Sequence, residues 1–406
     1  MVSPFGQGSK IKTEEAYMLK FAAAGIFDGH RLRSRHEALI VNESGAIMDI
    51  IPGDEAGEGI RQFDGILCPG FVNAHCHLEL SHLKGAVPEK TGLVKFLATV
   101  TGHRNDYREE DILSAIGEAA REMYDNGIAA VGDIANGTRT LQQKQQRLLY
   151  YHTFVEAMGF TEEKAGERFR YSLQVLDQFR QLNGAAATLA PHAPYSVSAS
   201  LFRLIGDQPG NRLISIHNQE SAAEDELFRS KTGALLDLYK ALEIDCSSFR
   251  PSGKSSLQTW LPHFSAGRQI LLVHNTFTSE DDIKFAAQCP HEIYWCLCPN
   301  ANLYIEDRLP AIGLLQKNNC NIILGTDSLA SNHQLSILEE LKTIRRHFPR
   351  IPLREMLGWA TSQGARALNI QGTHGSFDTG KKPGVLLIEK LREGQLSAES
   401  RVKRLI

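Results

Sequence analysis

The sequence contains no apolar run of the roughly 18 to 20 residues that a membrane-spanning helix needs, so it does not predict a transmembrane protein. Neither charge dominates: 44 lysines and arginines stand against 47 aspartates and glutamates, which argues against a nucleic-acid-binding surface or an acidic tail. The seven cysteines are an odd number without regular spacing. We therefore expect reduced thiols in a cytoplasmic protein, and the first residues show no secretory signal.

Nucleotide-binding signatures are also missing, because the glycine-rich stretches match neither the P-loop nor the dinucleotide fingerprint. The chain has no internal repeat and no low-complexity segment. Its composition, 42% apolar and 22% charged, is typical of a globular protein. A length of 406 residues allows one large domain and a smaller one.

From residue 71 onward, short apolar runs alternate with helical stretches, which indicates βα units and a parallel sheet. The eight predicted strands are Phe71–His77, Ile128–Ile134, Tyr150–Ala157, Ala186–His192, Leu213–Asn218, Ile270–Asn275, Ile293–Pro299 and Asn321–Asp327. The clearest predicted helices are Glu109–Asn126, Gln334–His347 and Leu353–Leu368. This pattern predicts a (β/α)8 barrel, or TIM barrel, whose active-site groups lie at the carboxyl ends of the strands.

Both ends of the chain have a different texture, with short strand-like runs separated by turns. These runs are Leu19–Gly25, Ala38–Val41, Ile47–Ile51, Gly65–Leu67 and, after the barrel, Val385–Ile388. We therefore predict an α/β protein in which residues 69–369 form the barrel. Residues 1–68 and 370–406 are predicted to form one small, discontinuous β-sandwich domain.

Chemistry-bearing residues recur at the ends of the predicted barrel strands. His75 and His77 form a His-x-His pair at the end of the first strand, where residues two apart point to the same face. Neutral imidazole is the commonest metal ligand in proteins. Later strands end at His192, His217, His274 and Asp327, and Glu220 follows His217 by three residues. A single terminal histidine is usually structural, but this repetition predicts the site of a metal-dependent hydrolase.

The same segments resemble the amidohydrolase superfamily. The resemblance is carried by Pro69–His77, Ile216–Glu220, Val273-His274 and Gly325–Asn332, and by a closing segment in Ala360–Leu368 and Gly375–Lys382. It is closest in pattern to the deaminase and chlorohydrolase branch, which includes guanine, S-adenosylhomocysteine and aminofutalosine deaminases. The chain departs from the usual family pattern at Pro383-Gly384-Val385, far from the candidate site.

The resemblance implies one divalent metal ion, with Zn²⁺ as first choice and Fe²⁺ as the alternative. Its implied ligands are His75, His77, His217 and Asp327, with a water in the fifth position. A divalent ion lowers the pKa of bound water toward about 7, so hydroxide can attack the amine-bearing carbon and release ammonia. In this scheme Asp327 takes the proton of the water, Glu220 carries a proton to the ring nitrogen, and His274 binds the attacking oxygen.

Two further residues are implied as substrate contacts. Two-metal members of the superfamily carry a bridging lysine or glutamate on the fourth strand, whereas this chain has His192 there, so we expect a single metal and a substrate-binding role for His192. Glu79 lies two residues past His77 and is expected to reach ribose hydroxyls. An equally weighted alternative is that Glu79 pairs with a nearby cation such as Lys84.

The predicted function is hydrolytic deamination of an amino-substituted purine or adenine-type nucleoside. The text around Glu79 and Glu220-Ser221 makes aminofutalosine the best single substrate. The alternatives are a chlorohydrolase or amidase acting on a triazine or cyclic amide, and a non-catalytic barrel. We expect a small heterocyclic substrate, neither nucleic acid nor membrane as a partner, and allow for a homodimer.

Basic residues and cysteines near the strand ends were weighed as further site residues. We expect Lys84, Arg104 and Arg139 to form surface salt bridges rather than to grip a substrate carboxylate. Cys296 and Cys298 are expected on the seventh strand and not in a zinc site.

Overall fold

The computed structural model describes residues 18–182, 184 and 186–406. The part of the predicted small domain that precedes residue 18 lies outside the described residues. The strands are β1 (Met18–Phe27), β2 (Leu32–Arg33), β3 (Glu37–Asn42), β4 (Ile47–Pro52), β5 (Ile60–Pro69), β6 (Phe71–Cys76), β7 (Ile128–Ala135), β8 (Tyr150–Ala157), β9 (Ala186–Pro191), β10 (Leu213–Asn218), β11 (Gln269–His274), β12 (Glu292–Leu297), β13 (Asn321–Leu324), β14 (Val385–Glu389) and β15 (Arg401–Arg404).

The α-helices are α1 (Leu93–His103), α2 (Glu109–Asp125), α3 (Leu141–Gln145), α4 (Ala165–Arg180), α5 (Ala199–Asp207), α6 (Ala222–Ser230), α7 (Leu235–Ala241), α8 (Ser256–Trp260), α9 (Glu280–Gln288), α10 (Pro299–Glu306), α11 (Ile312–Lys317), α12 (Ile337–His347), α13 (Leu353–Gly358) and α14 (Gly364–Ala367). Four 3₁₀ segments (Leu78–Leu83, Glu162–Lys164, Pro194–Ser196 and Leu261–His263) and a π-helical turn at Trp359–Gln363 complete the list. Among the described residues, no helix is both long and apolar enough to cross a bilayer.

The two ends of the described chain share one mixed sheet. Its strand order is β15-β14-β5-β1-β3-β4, with β2 beside β1. One face buries an apolar cluster that includes Phe21, Ile26, Leu39 and Leu387. β5 runs on to Pro69, and β6 begins two residues later at Phe71, so the small sheet and the barrel follow each other almost without a linker. The division at residues 69 and 370 stays a prediction.

Eight parallel strands form the barrel as two four-stranded sheets, β6-β7-β8-β9 and β10-β11-β12-β13. Two backbone seams join them at the carboxyl ends. The amide of His217 donates to the carbonyl of His192 (3.0 Å), and the amides of Thr326 and Asp327 donate to the carbonyl of His75 (3.0 and 3.1 Å). The predicted α/β class with a (β/α)8 barrel is confirmed.

Apolar side chains alternate between the two faces of the barrel strands. In β6, Val72 and Ala74 belong to the interior cluster, whereas Phe71 and Cys76 pack against the outer helices. In a regular strand Cys76 would face the same side as Val72 and Ala74, so the alternation of side chains is interrupted. The interruption falls between Asn73 and Cys76, where the pairing with β7 shifts register. Such an irregularity re-aims side chains. It lets His75 lie at the inner carboxyl end of the strand.

The boundaries of the predicted elements shift for identifiable reasons. The eighth strand ends at Leu324 rather than Asp327, because Asp327 has a left-handed backbone (φ 58°) that leaves the extended conformation. α12 begins at Ile337 rather than Gln334, because the Ser336 hydroxyl accepts the amide of Glu339 and caps the helix.

Gly325 tests how tightly the seam between β13 and β6 is packed. A Cβ at this position would lie 2.8 Å from the Cβ of His75 and 2.9 Å from its carbonyl oxygen. We expect Gly325→Ala to lower the free energy of unfolding by about 1–3 kcal/mol, as overpacked cores do, and to weaken metal binding through His75. Denaturant unfolding and metal analysis measure both effects.

Gly313 on α11 provides the matched control, because a Cβ there meets nothing within 4 Å. Gly313→Ala should stabilise the protein slightly, since alanine is the better helix former by about 0.5–1 kcal/mol. Equal stability of the two variants would contradict the close approach at Gly325.

Candidate metal centre and active site

The first strand places two histidines at the mouth of the barrel. His75 is fully buried at the end of β6, and His77 follows the strand and precedes the 3₁₀ segment Leu78–Leu83. The amide of Leu78 donates to Oδ1 of Asp133 (2.9 Å) at the end of β7. This bond fixes the exit of the chain from β6, so His77 turns back over the barrel end.

Imidazole nitrogens converge at one point with a carboxylate. Nε2 of His77 lies 3.2 Å from Nε2 of His75 and 3.1 Å from Nε2 of His217, and Oδ1 of Asp327 lies 3.5 Å from Nε2 of both His75 and His77. His274 also belongs to this group: its nitrogen, those of His75 and His217 and an Asp327 oxygen lie within 4.8 Å of one another. Three nitrogens and one oxygen are a donor set that suits Zn²⁺ or Fe²⁺.

The hydrogen bond of His217 fixes which nitrogen faces the cluster. Its Nδ1 lies 2.7 Å from the carbonyl oxygen of His192, which assigns the proton to Nδ1 and leaves the lone pair on Nε2. A ligand histidine that donates its other N–H to a carbonyl is the usual outer arrangement of a metal site. The residues present therefore fit a divalent metal ion.

Burial sets the charge of the cluster. Desolvation, reinforced by His217 and His192, holds the pKa of His75 well below its usual value, so the imidazole is neutral and able to bind a cation. Burial raises the pKa of Asp327, whereas the interactions of its carboxyl group with His77 and His274 lower it. The lowering effects are larger in sum, so the pKa of Asp327 lies below its usual value. The cluster offers neutral nitrogens and an ionised carboxylate.

Asp327 is held in place by backbone geometry and by a hydroxyl. Its left-handed φ of 58° is unusual for a residue other than glycine, and such strain concentrates at functional sites. Ser331 donates its hydroxyl to Oδ2 of Asp327. The other oxygen, Oδ1, is the one that faces the histidines.

Glu220 is a second buried carboxyl group beside the cluster, and its pKa is shifted in the opposite direction. Burial, with Asp327, Glu306 and Glu224 nearby, raises the pKa of Glu220 well above its usual value. Its Oε1 lies 3.6 Å from Nε2 of His274. Two carboxyl groups whose pKa values are shifted in opposite directions are the pairing that acid–base chemistry uses.

His192 lies beside the cluster and lines the cavity above it. Burial lowers the pKa of His192 to about 4, so the ring is neutral at physiological pH, and its Nδ1 lies 2.7 Å from the Ser196 hydroxyl oxygen. A second group of potential ligands is formed by His192, Glu156 and His217. Because Nδ1 of His217 already bonds the His192 carbonyl, this group lacks a free His217 nitrogen, and one metal stays the prediction.

A cavity of about 120 Å³ lies over these residues. Apolar side chains form its outer side, chiefly from α1: Leu93, Phe96, Leu97 and Val100. Polar groups form another side, and we call its part made of Arg104, Asn136 and Glu156 the polar wall. These three residues are outside the predicted set of site residues. Asn136 directly follows β7 and Glu156 is the penultimate residue of β8. Their position at barrel strand ends is the signal that could have identified them.

Glu79 is buried behind this wall rather than facing Lys84. Oε1 of Glu79 accepts from Nη2 of Arg104 (3.3 Å) and Oε2 accepts from the amide of Asn136 (3.0 Å). Burial raises the pKa of Glu79 to about 6 against the lowering effect of Arg104. Lys84 pairs instead with Glu122 at 3.5 Å, so the proposed Lys84 partner was wrong.

The three basic residues near the strand ends have different roles. Arg139 pairs with Glu109 (2.9 Å), and Lys84 with Glu122, both as partly exposed salt bridges. Arg104 lines the cavity and pairs with a buried carboxylate. The expectation of a surface salt bridge was therefore wrong for Arg104, because α1 folds over the barrel mouth and carries this residue inward.

A family model described as "Amidohydrolase family" matches residues 66–400 of the chain. The chain belongs to the amidohydrolase family. The predicted hydrolase class is thereby confirmed, and the matched region contains all the cluster residues described above.

Relatives within the amidohydrolase family are named for purine nucleosides. The aminodeoxyfutalosine deaminase of Nitratiruptor sp. is 27% identical over 348 residues, covering 83% of this chain and 82% of the relative. The adenosine deaminase of Helicobacter pylori is 26% identical over 336 residues, covering 79% and 78%. The crystal structure of Helicobacter pylori aminofutalosine deaminase with methylthio-coformycin has a TM-score of 0.79 at 23% identity, covering 96% and 100%.

We expect the purified amidohydrolase to hold about one equivalent of divalent metal. Removal by a chelator should lower the melting temperature, because an ion that binds only the folded state stabilises it. His217→Ala should weaken metal binding at least 10-fold, since outer-shell changes alone cost about 10- to 100-fold.

Exposed His333 gives the matched control, because its side chain is 72% exposed and pairs with Glu89 at the surface (3.3 Å), and His333→Ala should leave the metal content unchanged. Elemental analysis with two tightly held ions per chain, or with none after growth in added zinc, would end the one-metal model.

Proposed function

We propose that this amidohydrolase is a metal-dependent hydrolytic deaminase of an adenine-type nucleoside, with aminofutalosine as the best single substrate. The observation that carries the proposal is the placement of Asp327 among the histidines, with Glu220 3.6 Å from His274, around one cavity. The two relatives named above, an aminodeoxyfutalosine deaminase and an adenosine deaminase, support the substrate class.

The chain's own residues divide the proton transfers between them. A divalent ion held by His75, His77, His217 and Asp327 would supply an activated water at neutral pH. Oδ1 of Asp327 accepts the proton that this water loses, and the carboxyl group of Glu220 delivers a proton to the substrate ring. His274, 3.6 Å from Glu220, is placed to hydrogen-bond the oxygen being added.

An amine must gain a proton before it leaves as ammonia, whereas chloride leaves as the anion without one. Deamination therefore needs a proton donor for the leaving group as well as for the ring nitrogen, and the carboxyl group of Glu220 is placed to serve both. The assembled acid, base and donor set likewise argue against the non-catalytic alternative.

The cavity is small for the proposed substrate. Sites for small ligands usually measure about 300–1,000 Å³, which exceeds the roughly 120 Å³ found here. Apolar residues of α1 line the cavity, so an outward displacement of this helix would enlarge it for a nucleoside.

Glu220→Gln should keep the metal and lose most of the turnover. The amide has no proton to transfer, and general acid–base groups contribute about 10²–10⁴-fold to the rate. Metal content and kcat for ammonia release are the measurements. Glu226→Gln, on the exposed side of α6, is the control and should match the wild type. Loss of the metal from Glu220→Gln would instead identify Glu220 as a ligand.

A substrate panel tests the reaction and its substrate class. Ammonia release should be fastest with aminofutalosine, adenosine, methylthioadenosine or S-adenosylhomocysteine, and slower with free guanine or cytosine. Steady-state kcat/KM ranks the compounds. Faster turnover of a free base or a chlorotriazine than of every nucleoside would refute the nucleoside assignment, and a metal-loaded but inactive protein would support the non-catalytic alternative.

A further inference from the structure

Three residues beside the candidate centre form a closed ring of hydrogen bonds. Glu79 accepts from Nη2 of Arg104 (3.3 Å) through one oxygen and from the Asn136 amide (3.0 Å) through the other. Nη1 of Arg104 donates to Oδ1 of Asn136 (3.2 Å) and completes the ring. Because Glu79 is almost fully buried, the ring holds Arg104 and Asn136 rigidly in the wall of the cavity.

The ring fixes the orientation of the Asn136 amide. Arginine can only donate, so Oδ1 of Asn136 must face Arg104 and Nδ2 must face the other way. Nδ2 donates to Oε2 of Glu156 at 2.6 Å. Asn136 thereby couples the ring to Glu156 and holds that carboxylate at the carboxyl end of β8.

Glu156 has one oxygen to spare. Its Oε2 is taken by Asn136, while within the described part of the chain the structure records no hydrogen bond to Oε1. The nearest ion-pair partner of Oε1 is Nδ1 of His217 at 3.6 Å, and the proton of that nitrogen is directed to the His192 carbonyl (2.7 Å). Glu156 lines the cavity. An acceptor that lines the cavity and takes no hydrogen bond from the described residues is available to a ligand that donates one.

The charges of the wall favour a neutral donor. Arg104 already shares its charge with Glu79, and Glu156 adds a carboxylate beside it. An anionic substrate group placed here would meet Glu156 and an arginine already paired with Glu79, so the wall offers it little attraction. A hydroxyl group can donate to Glu156 without adding charge.

The chemistry of adenine identifies where the donor comes from. The ring nitrogens of an adenine nucleoside are acceptors, and the only N–H group is the exocyclic amine, which is the group that reacts. A hydrogen bond donated to Glu156 must therefore come from the sugar. We propose that Glu156 binds ribose hydroxyl groups of the substrate and that Asn136, Arg104 and Glu79 position it, an inference that rests on the proposed nucleoside deaminase function.

Glu79 then acts on substrate binding through Arg104 and Asn136 rather than by contact. This differs from the expectation that Glu79 itself reaches the ribose, and it follows from the two hydrogen bonds that occupy both of its oxygens. The positioning role of Glu79 and the substrate contact of Glu156 make separate predictions.

The test measures equilibrium binding to the zinc-loaded enzyme, so it does not depend on turnover. The probes are purine riboside and its 2′,3′-dideoxy analogue, which lack the amine and differ only in the sugar hydroxyls. Wild-type enzyme should bind the riboside about 10- to 100-fold tighter, as expected for hydrogen bonds to a charged group. If the wild-type enzyme binds the riboside and the dideoxy analogue equally well, the proposal is overturned before any variant is made.

Glu156→Gln is the decisive variant because Asn136 also fixes how the new amide is oriented. The Gln oxygen must accept from Nδ2 of Asn136, which turns its NH₂ group, a donor, toward the cavity. A ribose hydroxyl can still accept from this NH₂ group, but the bond then joins neutral groups, so the preference for the riboside should fall by about 3- to 10-fold, with affinity for the dideoxy analogue, zinc content and melting temperature kept. Glu79→Gln should reduce the preference partially, and Glu109→Gln, at the exposed Arg139 pair, should not change it.

The outcomes separate this inference from the proposed function. If the wild type releases ammonia from nucleosides but Glu156→Gln keeps the full preference, the inference fails and the deaminase assignment stands. If no nucleoside is deaminated but the preference falls in Glu156→Gln, the ribose contact stands and the deaminase assignment fails. If Glu156→Gln weakens both probes equally, Glu156 is a structural residue and the inference fails.

Discussion

The backbone seam between the first and last barrel strands is the interaction on which the site depends. The carbonyl of His75 accepts hydrogen bonds from the backbone amides of both Thr326 and Asp327. The Asn73 side chain adds two more bonds to Thr326 at the same seam. Its Nδ2 donates to Oγ1 of Thr326 (2.8 Å), and its Oδ1 accepts from the backbone amide of Thr326 (3.0 Å). These bonds bring together ligands that are about 250 residues apart in sequence. A barrel that did not close would leave His75 and Asp327 on separate sheet edges, where neither could share an ion.

Exclusion of water then determines what each carboxyl group does. Asp327 and Glu220 are both buried, yet the pKa of one is lowered and that of the other is raised. The difference comes from neighbours, because Asp327 faces His77 and His274 whereas Glu220 has Asp327, Glu306 and Glu224 around it. In bulk water these interactions would be screened to small values. The same burial that costs stability therefore shifts the pKa values of two neighbouring carboxyl groups in opposite directions within one cavity.

Much of the barrel and its ligand set could be predicted from the sequence, because both are local signals. A buried parallel strand appears in the sequence as a short apolar run, and polar side chains at its carboxyl end reach the site. His75, His217 and Asp327 could therefore be identified because each stands at the end of such a run. The bend that re-aims His75 was not visible, because it arises from the register shift against β7.

The polar wall could not be predicted for a different reason. Glu79 finds Arg104 only because α1 folds across the barrel mouth, and that packing is set by the apolar side chains of α1 against distant loops. Periodicity identifies a helix but not the surface that it covers. The prediction ended the two strands at Ile134 and Ala157, so Glu156 lay inside a correctly bounded strand and Asn136 lay two residues beyond the other predicted end.

His217 connects the two halves of the site. Its Nε2 belongs to the cluster of nitrogens, while its Nδ1 bonds the His192 carbonyl and lies near Glu156. The same ring thus touches the metal-binding group on one side and the polar wall on the other. Because the His192 carbonyl fixes the ring plane, the cluster and the wall have a fixed spacing. A substrate that is too short to reach Glu156 from the reacting position gains nothing from the wall. Under the proposed function, selection for a sugar-bearing purine therefore belongs to the ends of strands β8 and β10, which carry Glu156 and His217.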